Sequence, residues 1–397
     1  MTGPIRPFLF VPRYWPGVGG AELHSRRLAQ ELVRHVPIKV ARCCSTEGVP
    51  TDYAFASARP AHARDGQIEV ETISPSAPWR RLLQPLARAA EQSRIARAAY
   101  GRAAAIAAAG RLRSAAEGAS VVHAIYNGFT PGAAALHSIG QPFVWTPLAH
   151  TTKPEGTAWS SHGFRRLYRA ADALIAMTEY ERDWLIGQGA ASSRVHVCPM
   201  APLFDSSMPD PEAFRARIGV GEAPVILFLG RTAEYKGYRT ILAAAEQVWA
   251  RQPDARFVFS GPITPEAELA FAAHEDPRII VTGPISGADK KSALAACTLL
   301  CVPSTEESLG VVYLEAWSFE KPVIAADVPA MQCVIDHGQD GLVVAQDGKA
   351  VAQAITDLLE RPERARRLGR TGARKVESDY NWAAIAEAHL RIYGSVL

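Results

Sequence analysis

Short apolar runs without strict alternation recur along this chain, set between alanine-rich stretches of helical periodicity. Runs of that kind mark strands buried on both faces of a parallel sheet, because covering helices leave neither face to water. In the first half they are Phe8–Val11, Ile38–Cys43, Ile68–Thr72, Val121–Ala124, Phe143–Thr146, Leu174–Met177 and Val195–Cys198. In the second half they are Val225–Leu229, Phe257–Phe259, Ile279–Val281, Leu299–Val302, Val323–Ala325 and Leu342–Val344. Between the two sets, Pro199–Pro211 (PMAPLFDSSMPDP) has four prolines and no periodicity, which reads as a linker. The pattern predicts an α/β chain of two Rossmann-like, doubly wound domains. Such sheets bind ligands outside the carboxyl ends of their strands, so the two domains are expected to face one cleft.

Charge and cysteine usage narrow the function. In 397 residues, 43 Lys+Arg stand against 40 Asp+Glu, a net charge of +3, which excludes a chain whose overall field gathers nucleic acid. Hydrophobic residues make up 48%, but more than a third of them are alanine, so large core residues are fewer than that figure suggests. Cys43, Cys44, Cys198, Cys297, Cys301 and Cys333 form no CxxC pair and no His cluster at zinc spacing. Neither a metal site nor a disulfide framework is expected, and a reduced, cytoplasmic setting fits. The apolar run in MTGPIRPFLFVPRYWP is too short and too broken by proline for a signal peptide. Nowhere do the roughly 18 apolar residues of a membrane span run together.

One stretch breaks the even charge. Residues 79–113 carry Arg80, Arg81, Arg88, Arg94, Arg97, Arg102, Arg111 and Arg113 against Glu91 alone, on an alanine-rich helical background. It reads either as a solvated helix pair or as a surface for anionic lipid headgroups or another phosphorylated partner. The second reading places the protein peripherally at the inner face of a membrane.

Three motifs bear chemistry. Pro16-Gly17-Val18-Gly19-Gly20-Ala21-Glu22 follows the first strand and precedes the helical run Leu23–Val33. Glycines at such a turn let backbone N–H groups approach a phosphate or sugar at a helix N-terminus, although an ordinary tight turn explains them equally. It is not the dinucleotide fingerprint, because the third glycine and the acid at the next strand end are missing. Gly230-Arg231 and Lys236-Gly237 flank the end of strand Val225–Leu229, placing two cations where a diphosphate would lie. The densest motif is Pro303-Ser304-Thr305-Glu306-Glu307-Ser308-Leu309-Gly310-Val311-Val312-Tyr313-Leu314-Glu315-Ala316. There a strand ends, a helix begins near Ser308–Gly310, and two carboxylates bracket its start.

Gly-Gly-Ala-Glu after the first strand, Gly230-Arg231 with Lys236-Gly237, Glu307-x7-Glu315 and Lys321-Pro322-Val323 together resemble the retaining glycosyltransferases of family four, with the GT-B fold. Tyr380-Asn381-Trp382 is similar to the point where such enzymes begin a last helix that returns to the N-terminal domain. The resemblance implies an acceptor-binding domain at 1–200 with the linker at about 199–211, a nucleotide-sugar donor domain at 201–380, and a returning helix at 381–397. It implies that Arg231 and Lys236 bind the donor diphosphate, Glu315 the ribose and Glu307 the donor sugar. Ser308, Leu309 and Gly310 then offer backbone N–H groups, Gly283 and Ile285 line the nucleobase, and Gly19 and Gly20 lie where sugar and acceptor meet. His150 corresponds to a histidine that reaches the donor sugar, although Thr151-Thr152 follow it where His-Asp is common, and a structural role is the alternative. His123 and Asn127, in HAIYN, either line the acceptor side or serve structure.

The implied reaction moves a sugar from a nucleotide diphosphate sugar to a hydroxyl of a glycan, lipid-linked or small-molecule acceptor, with retention and with no cofactor or metal. Arg231, Lys236 and the helix start stabilise the leaving diphosphate. A GT-B sugar epimerase or phosphorylase, a nicotinamide-dependent oxidoreductase and a non-catalytic nucleotide-sugar binder are the competing readings.

Overall fold

The computed structural model describes residues 4–17, 19–44, 53–126, 128–153, 155–156 and 158–397. The chain divides into two compact units, Met1–Met200 with Trp382–Leu397, and Ala201–Asn381.

The first unit is built on an eight-stranded sheet. Its strands are β1 (Pro7–Phe10), β2 (Lys39–Arg42), β3 (Ala61–Asp65), β4 (Ile68–Thr72), β5 (Val121–Ile125), β6 (Phe143–Thr146), β7 (Ala173–Ala176) and β8 (Val195–Val197), in the order β3-β4-β2-β1-β5-β6-β7-β8. Leu9 of β1 pairs with Val40 on one side and His123 on the other. Strands β1, β5, β6 and β7 are buried along their whole length, as parallel strands between two helix layers must be. The edge strand β3 has no counterpart in the apolar pattern. It pairs antiparallel to β4 across a turn at Gly66, and its alternating polar residues His62 and Arg64 leave it without an apolar run to read. The sheet is therefore mixed at one edge.

The helix Trp382–Ser395 closes this unit by packing on the helix Gly20–Leu32, with the rings of His24 and Trp382 5.7 Å apart. Its inner face carries Ile385, His389 and Tyr393, all buried. Tyr393 reaches His123 on β5, and His389 Nδ1 lies 3.5 Å from the Cys198 sulfur beyond β8.

The second unit holds an all-parallel, six-stranded sheet of β9 (Val225–Leu229), β10 (Arg256–Ser260), β11 (Ile279–Gly283), β12 (Leu299–Val302), β13 (Val323–Ala326) and β14 (Gly341–Val344), in the order β11-β10-β9-β12-β13-β14. This is the doubly wound order of dinucleotide-binding folds, and its direction reverses between β9 and β12. The loops leaving those two strands hold the cationic and the acidic motif. In the first sheet the reversal falls between β1 and β5, beside the glycine-rich turn.

Candidate functional site

Backbone geometry shapes the strand ends of the second unit. Gly230 and Gly261 sit at φ +147° and +134°, and a Cβ on Gly261 would lie 2.2 Å from the Gly230 carbonyl oxygen. The Gly230 N–H donates to Ser260 O and the Gly261 N–H to Gly283 O, each at 2.9 Å. The carboxyl ends of β9, β10 and β11 are thus stepped against one another through backbone hydrogen bonds, and at Gly261 a side chain has no room. Gly283, at φ +70°, ends the row, and Ile285 follows it half-buried.

After β9 the chain runs through exposed Arg231, then Thr232, whose buried hydroxyl bonds to Pro262 O, and a short turn Glu234–Lys236. Gly237, at φ +79°, caps the helix Tyr238–Trp249, and a Cβ there would stand 2.6 Å from Pro303 O. This close approach brings the loop after β9 onto the loop after β12. Thr305 N–H donates to Tyr235 O at 2.8 Å, and the Gln346 side-chain amide donates to both Tyr235 O and Pro303 O.

The Lys236 ammonium pairs with the Glu307 carboxylate, the two side chains being 20% and 11% exposed. The ammonium also faces the Tyr235 ring at 5.4 Å. Ser308 and buried Leu309 lead to Gly310, whose φ of +73° turns the chain into the short helix Val311–Trp317. The Tyr313 hydroxyl donates to Val302 O and ties that helix to β12. Arg231 takes part in none of the ion pairs found among the described residues, so its charge is free for a ligand.

Glu315 is placed apart from this group. It is 3% exposed, with Lys290 Nζ at 2.7 Å and the Leu203 N–H donating to the same oxygen at 3.2 Å. Burial pushes its carboxyl up, and the Lys290 charge opposes that shift. Lys290 also donates to Leu203 O at 2.8 Å, so the pair fastens the proline-rich segment to this unit. Lys290, Gln346 and Tyr235 were missed by sequence reasoning. Lys290 had a signal, a Lys-Lys pair in an otherwise alanine-rich helix, whereas Gln346 and Tyr235 act through contacts that no local pattern encodes.

In the first unit, Gly19 caps the helix Gly20–Leu32, and a Cβ on it would stand 2.3 Å from the Glu22 carboxylate. Glu22 is buried and paired with Arg13. Val18 and Asn127 lie outside the described residues. His123 does not line a surface. Its ring is fully buried, with Nδ1 2.8 Å from the Tyr393 hydroxyl and Nε2 2.8 Å from the Thr146 hydroxyl, so both nitrogens are engaged in the core and the acceptor-side expectation gives way to the structural one. His150 is half-buried in the turn after β6, its ring stacked on Trp159 at 4.8 Å and 13°.

Comparison with known proteins bears on the whole arrangement. A family model described as "Glycosyl transferases group 1" matches residues 223–361, and one described as "Glycosyl transferase 4-like domain" matches residues 19–201. Alpha-maltose-1-phosphate synthase of Mycolicibacterium smegmatis is 31% identical over 316 residues, 71% of this chain and 80% of that protein. D-inositol 3-phosphate glycosyltransferase of Kineococcus radiotolerans is 32% identical over 256 residues, 58% of this chain and 59% of that protein, so less than two thirds of its length is matched. Among solved structures, Anabaena HepE in complex with UDP and glucose superposes with a TM-score of 0.74 at 18% identity, over 98% of this chain and 99% of that one. The chain belongs to the family-four glycosyltransferases of GT-B fold.

Proposed function

We propose that this protein is a retaining glycosyltransferase that moves a sugar from a nucleotide diphosphate sugar to an acceptor hydroxyl without a metal ion. The observation that carries the reading is the pairing of Lys236 with Glu307 across the ends of β9 and β12, where the strand order of the second sheet reverses and Arg231 leaves β9 in the same loop as Lys236. Two fixed cations there stabilise negative charge as the bond to the leaving diphosphate breaks, which is the largest contribution such a site can make. Glu307, already anchored on Lys236, offers a carboxylate to sugar hydroxyls. Glu315 with Lys290 takes the ribose, the backbone at Gly283 and Ile285 takes the base, and His150 hydrogen-bonds the donor sugar. No carboxylate needs to act as a nucleophile. The acceptor attacks the face from which the diphosphate leaves, and the departing phosphate oxygen takes the acceptor proton.

The test is a donor screen with UDP-, GDP-, ADP- and TDP-glucose, read by thermal shift and slow donor hydrolysis. UDP-glucose comes first because the similar Anabaena HepE was solved with it. With the donor found, NMR of the product must show the anomeric configuration of the donor and activity that survives EDTA. Inversion, or stabilisation by NAD and by no nucleotide sugar, overturns the reading.

The arginine-rich stretch supports a lipid-linked acceptor. It forms two packed helices, Ala77–Ala90 and Arg94–Ala115, on which Ile95 is 84% exposed, Ile106 65% and Leu82 48%. Along the second helix, Ile95, Arg102, Ile106 and Arg113 fall on one outward stripe. Among the described residues no helix is long and apolar enough to cross a membrane. Exposed isoleucines between arginines suit the surface of an anionic bilayer, which takes apolar side chains at its interface and pairs cations with headgroups.

A further inference from the structure

Glu181 stands in the first turn of the helix Glu179–Gly187, the one that follows β7, yet its side chain is 1% exposed. Its two oxygens each accept a backbone N–H: Oε1 from Ala149 at 2.6 Å and Oε2 from Met177 at 2.7 Å. Ala149 follows β6 and Met177 follows β7, so one carboxylate bridges the ends of two adjacent strands. Among the described residues no cation pairs with it. A buried carboxylate with no cation beside it is costly, and here the two N–H donors it holds offset that cost.

The turn it holds is the one that carries His150. Leu148 sits at φ +49°, a left-handed conformation that side-chain-bearing residues rarely adopt, and Ala149 and His150 follow directly. From the opposite side the Trp159 indole N–H donates to Pro147 O at 3.1 Å while its ring stacks on His150. The Tyr168 hydroxyl in turn donates to Trp159 O at 2.9 Å.

We propose that Glu181 is a positioning residue for sugar transfer: its carboxylate ties the Leu148–His150 turn to the end of β7 and fixes the backbone from which the His150 imidazole reaches the donor sugar. The proposal rests on the role given to His150 above. A carboxylate suits the task because it is acceptor-only and can hold two N–H donors at once, whereas an amide can hold one and turns its own N–H groups toward the other. Burial raises the Glu181 carboxyl to about 7, against the opposing pull of the two N–H bonds. Tyr168 faces it from the helix His162–Ala170, buried and un-ionised. His150 adjoins it, β8 brings His196 alongside Ile175, and Glu179, Arg182 and Asp183 on its own helix are at the surface. Protonation gives one oxygen a hydrogen and frees one of the two strand ends.

The experiment compares the full-length wild type with Glu181→Gln and His150→Ala, using the donor identified by the screen above. Glu181→Gln is expected to lower kcat by about 10²-fold, the effect of a small misplacement of a reacting group, with the donor KM little changed. The acid limb of the wild-type kcat profile near neutral pH should vanish in that variant, and hydrogen exchange should quicken at Ala149 and Met177. Glu181→Asp keeps the charge but is one methylene too short to reach both donors, and it serves if the Gln variant does not fold. Wild-type kcat and pH profile in a folded variant, alongside an inactive His150→Ala, overturn the proposal for Glu181. A fully active His150→Ala overturns the role of His150 itself.

Discussion

Lys236 and Glu307 form an ion pair across 71 residues of sequence, one from the loop after β9 and the other from the loop after β12. The pair is mostly shielded from water, so it orders both loops at the point where the second sheet reverses direction. Its cation is also one of the two groups assigned to the leaving diphosphate. Lys236→Ala and Arg231→Ala should each lower kcat/KM by about 10²–10³-fold, the typical loss when one charge stabiliser is removed from a transition state. Thermal melting should change little for Arg231→Ala, because its side chain is exposed. Near-normal turnover in the double variant contradicts the assignment.

Glu307→Gln separates sugar binding from diphosphate binding. It keeps the shape but releases the Lys236 ammonium from its counter-ion. Calorimetry should find the nucleoside diphosphate bound as tightly as by wild type or more tightly, while transfer falls. Loss of nucleotide affinity together with transfer indicates that Glu307 acts only as a scaffold for Lys236.

Acid should destabilise the first unit through three buried histidines. Burial lowers His24 to about 3 and His389 to about 4 from an ordinary value of 6.5, and lowers His123 well below it, with neighbouring imidazoles adding to the shift for His24 and His123. Among the described residues, both ring nitrogens of His24 and Nε2 of His389 are buried without a hydrogen-bond partner, so protonation would place charge in the core. The unfolded chain takes up protons as pH falls below 6.5 and the folded unit does not, so the stability present above that pH is lost progressively toward about 4. Glu181 works in the opposite sense between its ordinary 4.5 and about 7, one group against three. Melting temperature measured from about pH 8 to pH 5 should fall, and less so in His24→Leu. A flat profile contradicts this account.

Vesicle sedimentation tests the arginine-rich helices. The protein should pellet with phosphatidylglycerol vesicles, stay in solution with phosphatidylcholine alone, and lose binding as salt rises. Ile95→Ser with Ile106→Ser should weaken binding without altering the fold, since both side chains are exposed. Equal binding to both vesicle types, or to neither, removes the membrane from the proposal.

The apolar runs were enough to place both sheets, because a strand buried on both faces carries its assignment in its own residues. Strand β3 escaped because its residues face water and its place is set by pairing with β4. Arg231, Lys236 and Glu307 stand out as candidates in sequence because glycines and strand ends mark their positions. His123 stands between two readings in sequence because a histidine at a strand end looks the same whether its ring meets a ligand or, as here, Tyr393 and Thr146. Glu181 carries in sequence only the signal of a helix start, the Thr178-x-x-Glu181 spacing of a capping box, whereas its carboxylate partners are backbone groups that local pattern does not encode.

The helix Trp382–Ser395 belongs to the first unit although the whole second unit precedes it in the chain. During synthesis, therefore, the ribosome delivers this piece of the first core only after the whole second unit. The second unit has all its strands before that point and can complete itself earlier, reversing the usual N-terminal-first order of multidomain folding. Until Tyr393 and His389 arrive, the pocket around His123 stays open, so a nascent or truncated chain exposes polar core surface to chaperones and proteases that the finished protein hides.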